Sequence, residues 1–312
     1  MYKFTPIVKT LVWGTERWLV SSVPGSESLV AEGPDAGRSI RDVWGGEFPL
    51  LVKIVDARLD LSIQVHPDEE LALERHGCHG KTEMWYVTGA DPGARLLCGF
   101  REEIRPEQYA GLVESGRIAD ALAPYDVAVG DVFFLPAGRV HAICGGCHVA
   151  EIQQTSDITS RIYDYKRPGL DRKPRQLHTD MARDAIDYRV LPDYRTKYRR
   201  FSDRRVGLVQ CPYFTTDWMR LTREKHLSLK GCGDFLILVC VDGEATIQGA
   251  AYADSHTKGP GADSGARTAE STRPDSSRME IRAGEAVLVL PSDGPLHILP
   301  ARGDATFLTT HI

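Results

Sequence analysis

No apolar run in this 312-residue chain approaches the ~20 residues that a membrane-spanning helix needs. The opening residues, MYKFTPIVKTLVWGTERW, lack the apolar core of a signal peptide. The expectation is a cytoplasmic protein with no membrane partner. A basic excess is missing as well: Lys and Arg number 38 against 43 Asp and Glu, a net charge of −5, with no cationic tail or stripe. Nucleic-acid binding demands such a footprint, so it is set aside. A disulfide framework is missing too, because the seven cysteines are odd in number and scattered, which fits reduced thiols. Helical periodicity is scarce. It shows at 68–75, where Pro67 and acidic residues mark a helix start, and at 105–122, as two pieces around Gly116.

Short β-type runs fill the rest. FPLLVKIV (48–55), LDLSIQVH (59–66), EMWYVTG (83–89), ARLLCGF (94–100), DVFFLPA (131–137) and HVAEIQQT (148–155) are punctuated by Gly, Pro and Asp. A second set, DFLILVCVDG (234–243), TIQG (246–249), AVLVLP (286–291) and ATFLTTHI (305–312), follows a charged connector from about Arg167 to Arg205. Many short strands with few helices predict an all-β sandwich or barrel. With 42% apolar residues, this length supports two cores. The stretch 249–278 has almost no large apolar groups and is expected to form a mobile loop, because it cannot offset its ordering entropy.

The run LSIQVHP places Gln64 and His66 on one face of a strand, with Ile63 and Val65 on the other. The two polar side chains either meet solvent or line an interior that needs electron-pair donors. Glu83 opens a strand seventeen residues after His66. Carboxylate, imidazole and amide oxygen together suit a divalent transition metal such as zinc, although most such triples are surface coincidence. A second signal is Gly130–His141, which reads G-x5-P-x-G-x2-H: a turn, an apolar strand, a Pro136–Gly138 corner and then His141. By itself a histidine after a turn is usually an ordinary side chain. The glycine and proline spacing resembles the second motif of the cupin superfamily, double-stranded β-helix barrels in which this histidine completes a metal site. The gap between the two motifs is wide, which fits helical decoration at 101–122. Cys144-Gly-Gly-Cys147-His148 matches C-x-x-C-H, but its strand-like flanks favour a turn with two incidental thiols over a redox pair or haem attachment.

Taken together, SIQVHP, GKTE with Trp85, FLPAGRVHAI and EIQQTSDITSRIYDYKR resemble type I phosphomannose isomerase. Leu11-Val12-Trp13-Gly14, Trp18 and Arg175-Gln176-Leu177-His178 resemble its short bacterial form. The likeness covers about residues 1–190 well and the remainder loosely. It implies a metal-binding cupin domain over 1–190 with a helical insertion near 101–122. It also implies a second cupin-like domain over 191–312 without a metal site. Gln64, His66, Glu83 and His141 fall on the family's metal ligands and imply one Zn2+ per chain. Arg161 falls on its active-site arginine. Lys81 and Ser62 match pocket-lining residues, Glu151 and Asp157 match acidic pocket positions, and Trp13 matches a tryptophan near the entrance. Gly145 stands where many cupins carry asparagine, at a position that is not a ligand.

Each residue also has an ordinary reading: Arg161 paired with Asp157 or Asp164 at the surface, Lys81 and Ser62 as turn and strand-end residues, Glu151 facing solvent, Trp13 in the core. Agreement among several motifs is what argues against those. The implied activity is interconversion of mannose 6-phosphate and fructose 6-phosphate through an enediol(ate), by a monomer or homodimer. The rivals are a non-catalytic cupin that binds or senses a sugar phosphate, and a metal-dependent oxygenase or epimerase. In the second half, Gly284, Pro291, Gly294 and His297 echo the G…P…G…H motif with one extra residue before the proline, another between proline and glycine, and no histidine–glutamate set before it. A vestigial barrel is expected there.

Overall fold

A computed structural model describes residues 1–249 and 278–312. The loop expected at 249–278 therefore lies, apart from its two end residues, outside the described residues. The chain divides into two compact units. The larger holds Thr5–Ser28 and Ser39–Lys197; the smaller holds Met1–Phe4, Leu29–Arg38 and Tyr198–Ile312. The division does not simply follow chain order, because Tyr2–Phe4 pairs with Glu285–Val289 and Val30–Glu32 in one sheet. Among the described residues, no helix is long and apolar enough to cross a membrane.

The larger unit is built around two large antiparallel sheets, with a small hairpin of Ser22–Val23 and Ser26–Glu27 beside them in the chain. One has six strands in the order Val132–Leu135, Glu83–Ala90, Cys147–Gln154, Leu50–Ala57, Gly14–Val20 and Ile7–Leu11. The other has five: Leu122–Asp126, Arg95–Phe100, His141–Ile143, Ile63–Val65 and Ser160–Tyr163. This is the all-β, cupin-type fold. The strand expected over 59–66 is confined to Ile63–Val65. Leu61 still donates its N–H to Ile143 O, and Asp60 accepts from Gly145 N.

The helical pieces cover one side of the five-stranded sheet. Pro106–Glu114 and the 3-10 turn Arg117–Ala121 are separated by Gly116 at φ 72°, as the sequence pattern requires. Thr179–Ala185 lies in the connector, and the short Ile40–Trp44 is started by a Ser39–Asp42 capping box too brief to show periodicity. Tyr109, Ile118, Ala182 and Ile186 form one cluster with Ile63 and Val65. Those contacts bury the apolar face of the LSIQVHP strand under helices. By strand alternation, Gln64 faces the interior.

The smaller unit also has two sheets. Seven strands run in the order Arg205–Gln210, Thr215–Leu221, Ala305–His311, Leu236–Asp242, Glu285–Val289, Tyr2–Phe4 and Val30–Glu32. Four more are Lys225–Leu227, Leu296–Pro300, Glu244–Gly249 and Arg278–Arg282. Met219, Leu238, Val287 and Phe307 from the first sheet share a buried cluster with Ile247, Ile281, Leu296 and Ile298 from the second.

Candidate active site

Strand register assembles the site. Across the six-stranded sheet, Phe133 lies opposite Trp85, Trp85 opposite Glu151, Glu151 opposite Lys53, and Lys53 opposite Trp18. Directly opposed residues share a face, so this is one continuous row. Across the five-stranded sheet, Cys98 opposes His141, His141 opposes Gln64, and Gln64 opposes Arg161. Two residues along, Val55, Val87 and Val149 continue the inward face as a hydrophobic floor with Leu96, Ile143 and Trp13.

His66, Glu83 and His141 converge where the rows meet. All three are buried, and their candidate ligand atoms lie within 4.8 Å of one another. His66 Nε2 is 3.5 Å from Glu83 Oε2, and His141 Nε2 is 3.4 Å from Oε1. Each ring donates its other N–H to a backbone carbonyl: His66 Nδ1 to Ile158 O at 2.9 Å, and His141 Nδ1 to Arg139 O at 2.8 Å. That choice of tautomer leaves both Nε2 lone pairs facing the carboxylate, the arrangement that second-sphere carbonyls give to metal-binding imidazoles. Glu83 is fully buried, yet neither of its oxygens has a hydrogen bond of good geometry among the described residues. The Lys81 ammonium stands 3.0 Å from Oε2 as an ion-pair partner, and 3.2 Å from His66 Nε2.

Electrostatics agree with the geometry. Burial, then the Lys81 charge, lowers the His66 imidazole well below its ordinary value, and burial lowers His141 to about 4. Both rings are therefore neutral donors of electron pairs at physiological pH. Burial, then the Glu151 charge, pushes the Glu83 carboxyl up. A buried carboxylate facing two neutral imidazoles fits a divalent cation. Gln64 Nε2 lies 3.3 Å from His141 Nε2, and Gln64 Oε1 accepts from Ser62 Oγ at 3.4 Å. A half-turn of that amide would exchange its nitrogen and oxygen and turn the oxygen toward His141 Nε2.

A cavity of about 210 Å3 opens beside this cluster. Ser62, Gln64, Lys81, Glu151, Asp157 and Arg161 all line it, as does Trp13, which is also packed into the core. His66, Glu83 and His141 sit buried behind that wall. Arg161 donates from Nη1 to Gln176 O at 2.9 Å, while its buried Nε has no partner among the described residues. Asp157 is exposed at the rim, 3.9 Å from Lys9. Glu151 does not face solvent: its oxygens accept from Lys53 Nζ and Trp85 Nε1, both at 2.9 Å. Burial works against its charge, but Lys53 and then Lys81 hold its carboxyl below the usual range.

Sequence reasoning passed over Lys53, Glu16 and Arg175, which also line the cavity. Lys53 left one signal, a charge in the middle of the apolar run LLVKIV. Arg175 left less. Asp164 holds it at 2.6–2.7 Å and holds Arg167 at 2.8–3.0 Å, so both guanidiniums are fixed behind Arg161. Cys144 and Cys147 flank a turn; both are buried, and burial pushes their thiols up to about 11 and 12. Such thiols are poor redox groups.

Comparison with known proteins gives a consistent result. The profile of the type I phosphomannose isomerase catalytic domain matches residues 24–103. The mannose-6-phosphate isomerase ManA of Bacillus subtilis (strain 168) is 30% identical over 286 residues, covering 82% of this chain and 90% of that protein. A mannose-6-phosphate isomerase from Streptococcus mutans is 37% identical over 182 residues, 55% of this chain and 57% of its own. The crystal structure of the Bacillus subtilis mannose 6-phosphate isomerase superposes with a TM-score of 0.83 at 25% identity, covering 100% of this chain and 99% of that one.

Proposed function

The chain belongs to the type I phosphomannose isomerase family, and from that premise we propose that it interconverts mannose 6-phosphate and fructose 6-phosphate with one bound zinc ion. The observation that carries the proposal is the convergence of two imidazole Nε2 atoms on a buried carboxylate, paired only with Lys81 among the described cations within 4 Å, at the wall of a cationic cavity. His66, Glu83, His141 and Gln64 would hold the ion. When bound, the ion supplies Lewis acidity toward the sugar oxygens at C1 and C2.

The remaining roles belong to the protein. Isomerisation moves a proton between C1 and C2 and builds negative charge on the enediol oxygens. Lys81 and Arg161 place positive charge beside those oxygens, and their fixed positions spare reorganisation as the charge develops. Arg161 lines the cavity, and its buried Nε has no partner among the described residues. Lys81, Glu151 and Asp157 are the proton carriers of the cavity. Ser62 and Trp13 shape its wall. The proposal extends to a cytoplasmic setting and to a monomer or homodimer.

Elemental analysis and a coupled assay for fructose 6-phosphate, run on one preparation, test the reading. We expect about one zinc per chain and loss of turnover on chelation. Arg161→Ala should retain metal while turnover falls roughly a hundredfold or more. Full activity in thoroughly metal-free protein refutes zinc dependence. Metal without any isomerase activity leaves a sugar-phosphate binder in place of an enzyme.

A further inference from the structure

Pro67-Asp68-Glu69 begins the short helix Glu69–His76, and His79-Gly80-Lys81-Thr82 leads into the strand Glu83–Ala90. The first segment follows directly on His66, and the second carries Lys81 and Glu83. One side chain bridges them. Glu69 Oε2 accepts from Gly80 N at 2.9 Å and from Gln154 Nε2 at 3.0 Å, and its Oε1 accepts from His79 Nδ1 at 2.6 Å. Gln154 passes the restraint on: its Oε1 accepts from Thr82 N at 2.9 Å, and its N–H donates to Thr82 O at 3.1 Å. Thr82 Oγ1 accepts from Ala137 N at 3.2 Å. In addition, Lys81 N donates to Pro67 O at 3.2 Å, and Gly138 N donates to His66 O at 2.9 Å.

Every peptide unit between His79 and Thr82 is thus tied to the segment after His66, to the end of the Glu151 strand, or to the Pro136–Gly138 corner before His141. Gly80 is required by this closeness. A Cβ there would stand 2.6 Å from Asp68 C and Glu69 N, a backbone overlap that no rotamer change relieves. Glu69 itself reaches neither cavity nor ligand cluster.

We propose that Glu69 is a positioning residue, whose carboxylate fixes the separation between the His66 segment and the segment bearing Lys81 and Glu83. The inference rests on the zinc-isomerase reading above. Its mechanism is geometric: Glu69 is three residues from His66 and grips Gly80, three residues from Glu83. Releasing the grip lets the two ligand-bearing segments drift apart by the few tenths of an ångström that a metal site registers in affinity.

Three variants test it in the full chain. Glu69→Ala removes the acceptor. Glu69→Gln keeps one oxygen for Gly80. Asp68→Ala removes the cap of the same helix, whose Oδ1 accepts from Leu71 N at 2.9 Å, without touching Gly80. Zinc affinity by chelator competition should fall roughly 10–100-fold for Glu69→Ala, with kcat reduced and KM little changed. Glu69→Gln should recover most of that loss. Asp68→Ala should melt earlier yet keep zinc affinity. Hydrogen exchange in chelator-stripped protein should quicken at Gly80 and Thr82 for Glu69→Ala, a readout independent of metal. Wild-type affinity and exchange in Glu69→Ala overturn the proposal, as does an equal loss of zinc affinity in Asp68→Ala or in Glu69→Gln. If exchange quickens at Gly80 while wild-type protein binds no zinc, the clamp stands and the zinc reading fails.

Discussion

The two units enclose interiors of opposite character. Each is walled by two antiparallel sheets whose alternate residues point inward. In the smaller unit those positions hold Met219, Leu238, Val287, Ile298 and Phe307, with Thr309 as a neutral exception, and among the described residues the core cluster carries no charged side chain. In the larger unit the inward row Phe133, Trp85, Glu151, Lys53, Trp18 faces His141, Gln64 and Arg161. Lys53, Lys81, Glu83 and Glu151 are all buried there. Burying charge costs far more than burying hydrocarbon, so a fold selected for stability alone would fill both interiors alike. The difference locates function: where an interior departs from the cheaper filling, its groups are kept for what they do.

The histidines give the sharpest test of that contrast. On the proposed zinc reading, His141→Ala should reduce isomerase activity by about a thousandfold and lower bound metal, because it removes one imidazole from the charged interior. His297→Ala, its counterpart in the sequence echo, should leave activity within about twofold, because it changes an outward position. An equal loss in both would mean that the smaller unit takes part in the chemistry. Next in size come two substitutions of buried side chains, read by urea unfolding across pH. Lys53→Met strands the Glu151 carboxylate and should cost about 3–5 kcal/mol at neutral pH. The depressed Glu151 carboxyl contributes stability above about pH 4.3, and that is lost as pH falls. The raised Lys53 ammonium contributes below about pH 10.4, and that is lost as pH rises. The cost of Lys53→Met should therefore narrow in acid. Leu238→Ala should cost about 2–5 kcal/mol with no such dependence, since only hydrocarbon is removed. A flat profile for Lys53→Met would remove the distinction between the interiors. The smallest effect lies at the cavity wall. Asp164→Asn weakens the grip on Arg167 and Arg175 and should cost about 1–2 kcal/mol at neutral pH, after allowance for solvent screening. Arg167 and Arg175 hold the Asp164 carboxyl low against the opposing effect of burial, so this difference should also fade as pH drops below about 3.9.

Much of this was legible in the amino-acid sequence, and the reason is local periodicity. The runs over 83–89 and 148–155, rich in aromatic and β-branched residues and bounded by turn residues, appear as Glu83–Ala90 and Cys147–Gln154. The GRVH corner presents His141 because Gly138, at φ 90°, turns the chain where other residues would be strained. What stayed hidden depends on pairing over long separations. Lys53 reads as an interruption until its partner Glu151, 98 positions away, is placed beside it. The strands Tyr2–Phe4 and Val30–Glu32 join the far end of the chain through a register that no local pattern announces. The echo around His297 shows the limit of spacing as a guide. Its Pro291-to-His297 step is one residue longer than Pro136-to-His141, and here Leu296 and Ile298 point inward while His297 pairs with His226, the rings stacked 4.4 Å apart.

The carbonyls that orient the two imidazoles belong to the main chain at Ile158 and Arg139. Because any amino acid supplies the same oxygen, descendants of this gene can rewrite both of those side chains without disturbing ring tautomers. The alignment of the two rings is thereby insulated from mutational drift at the very residues that enforce it.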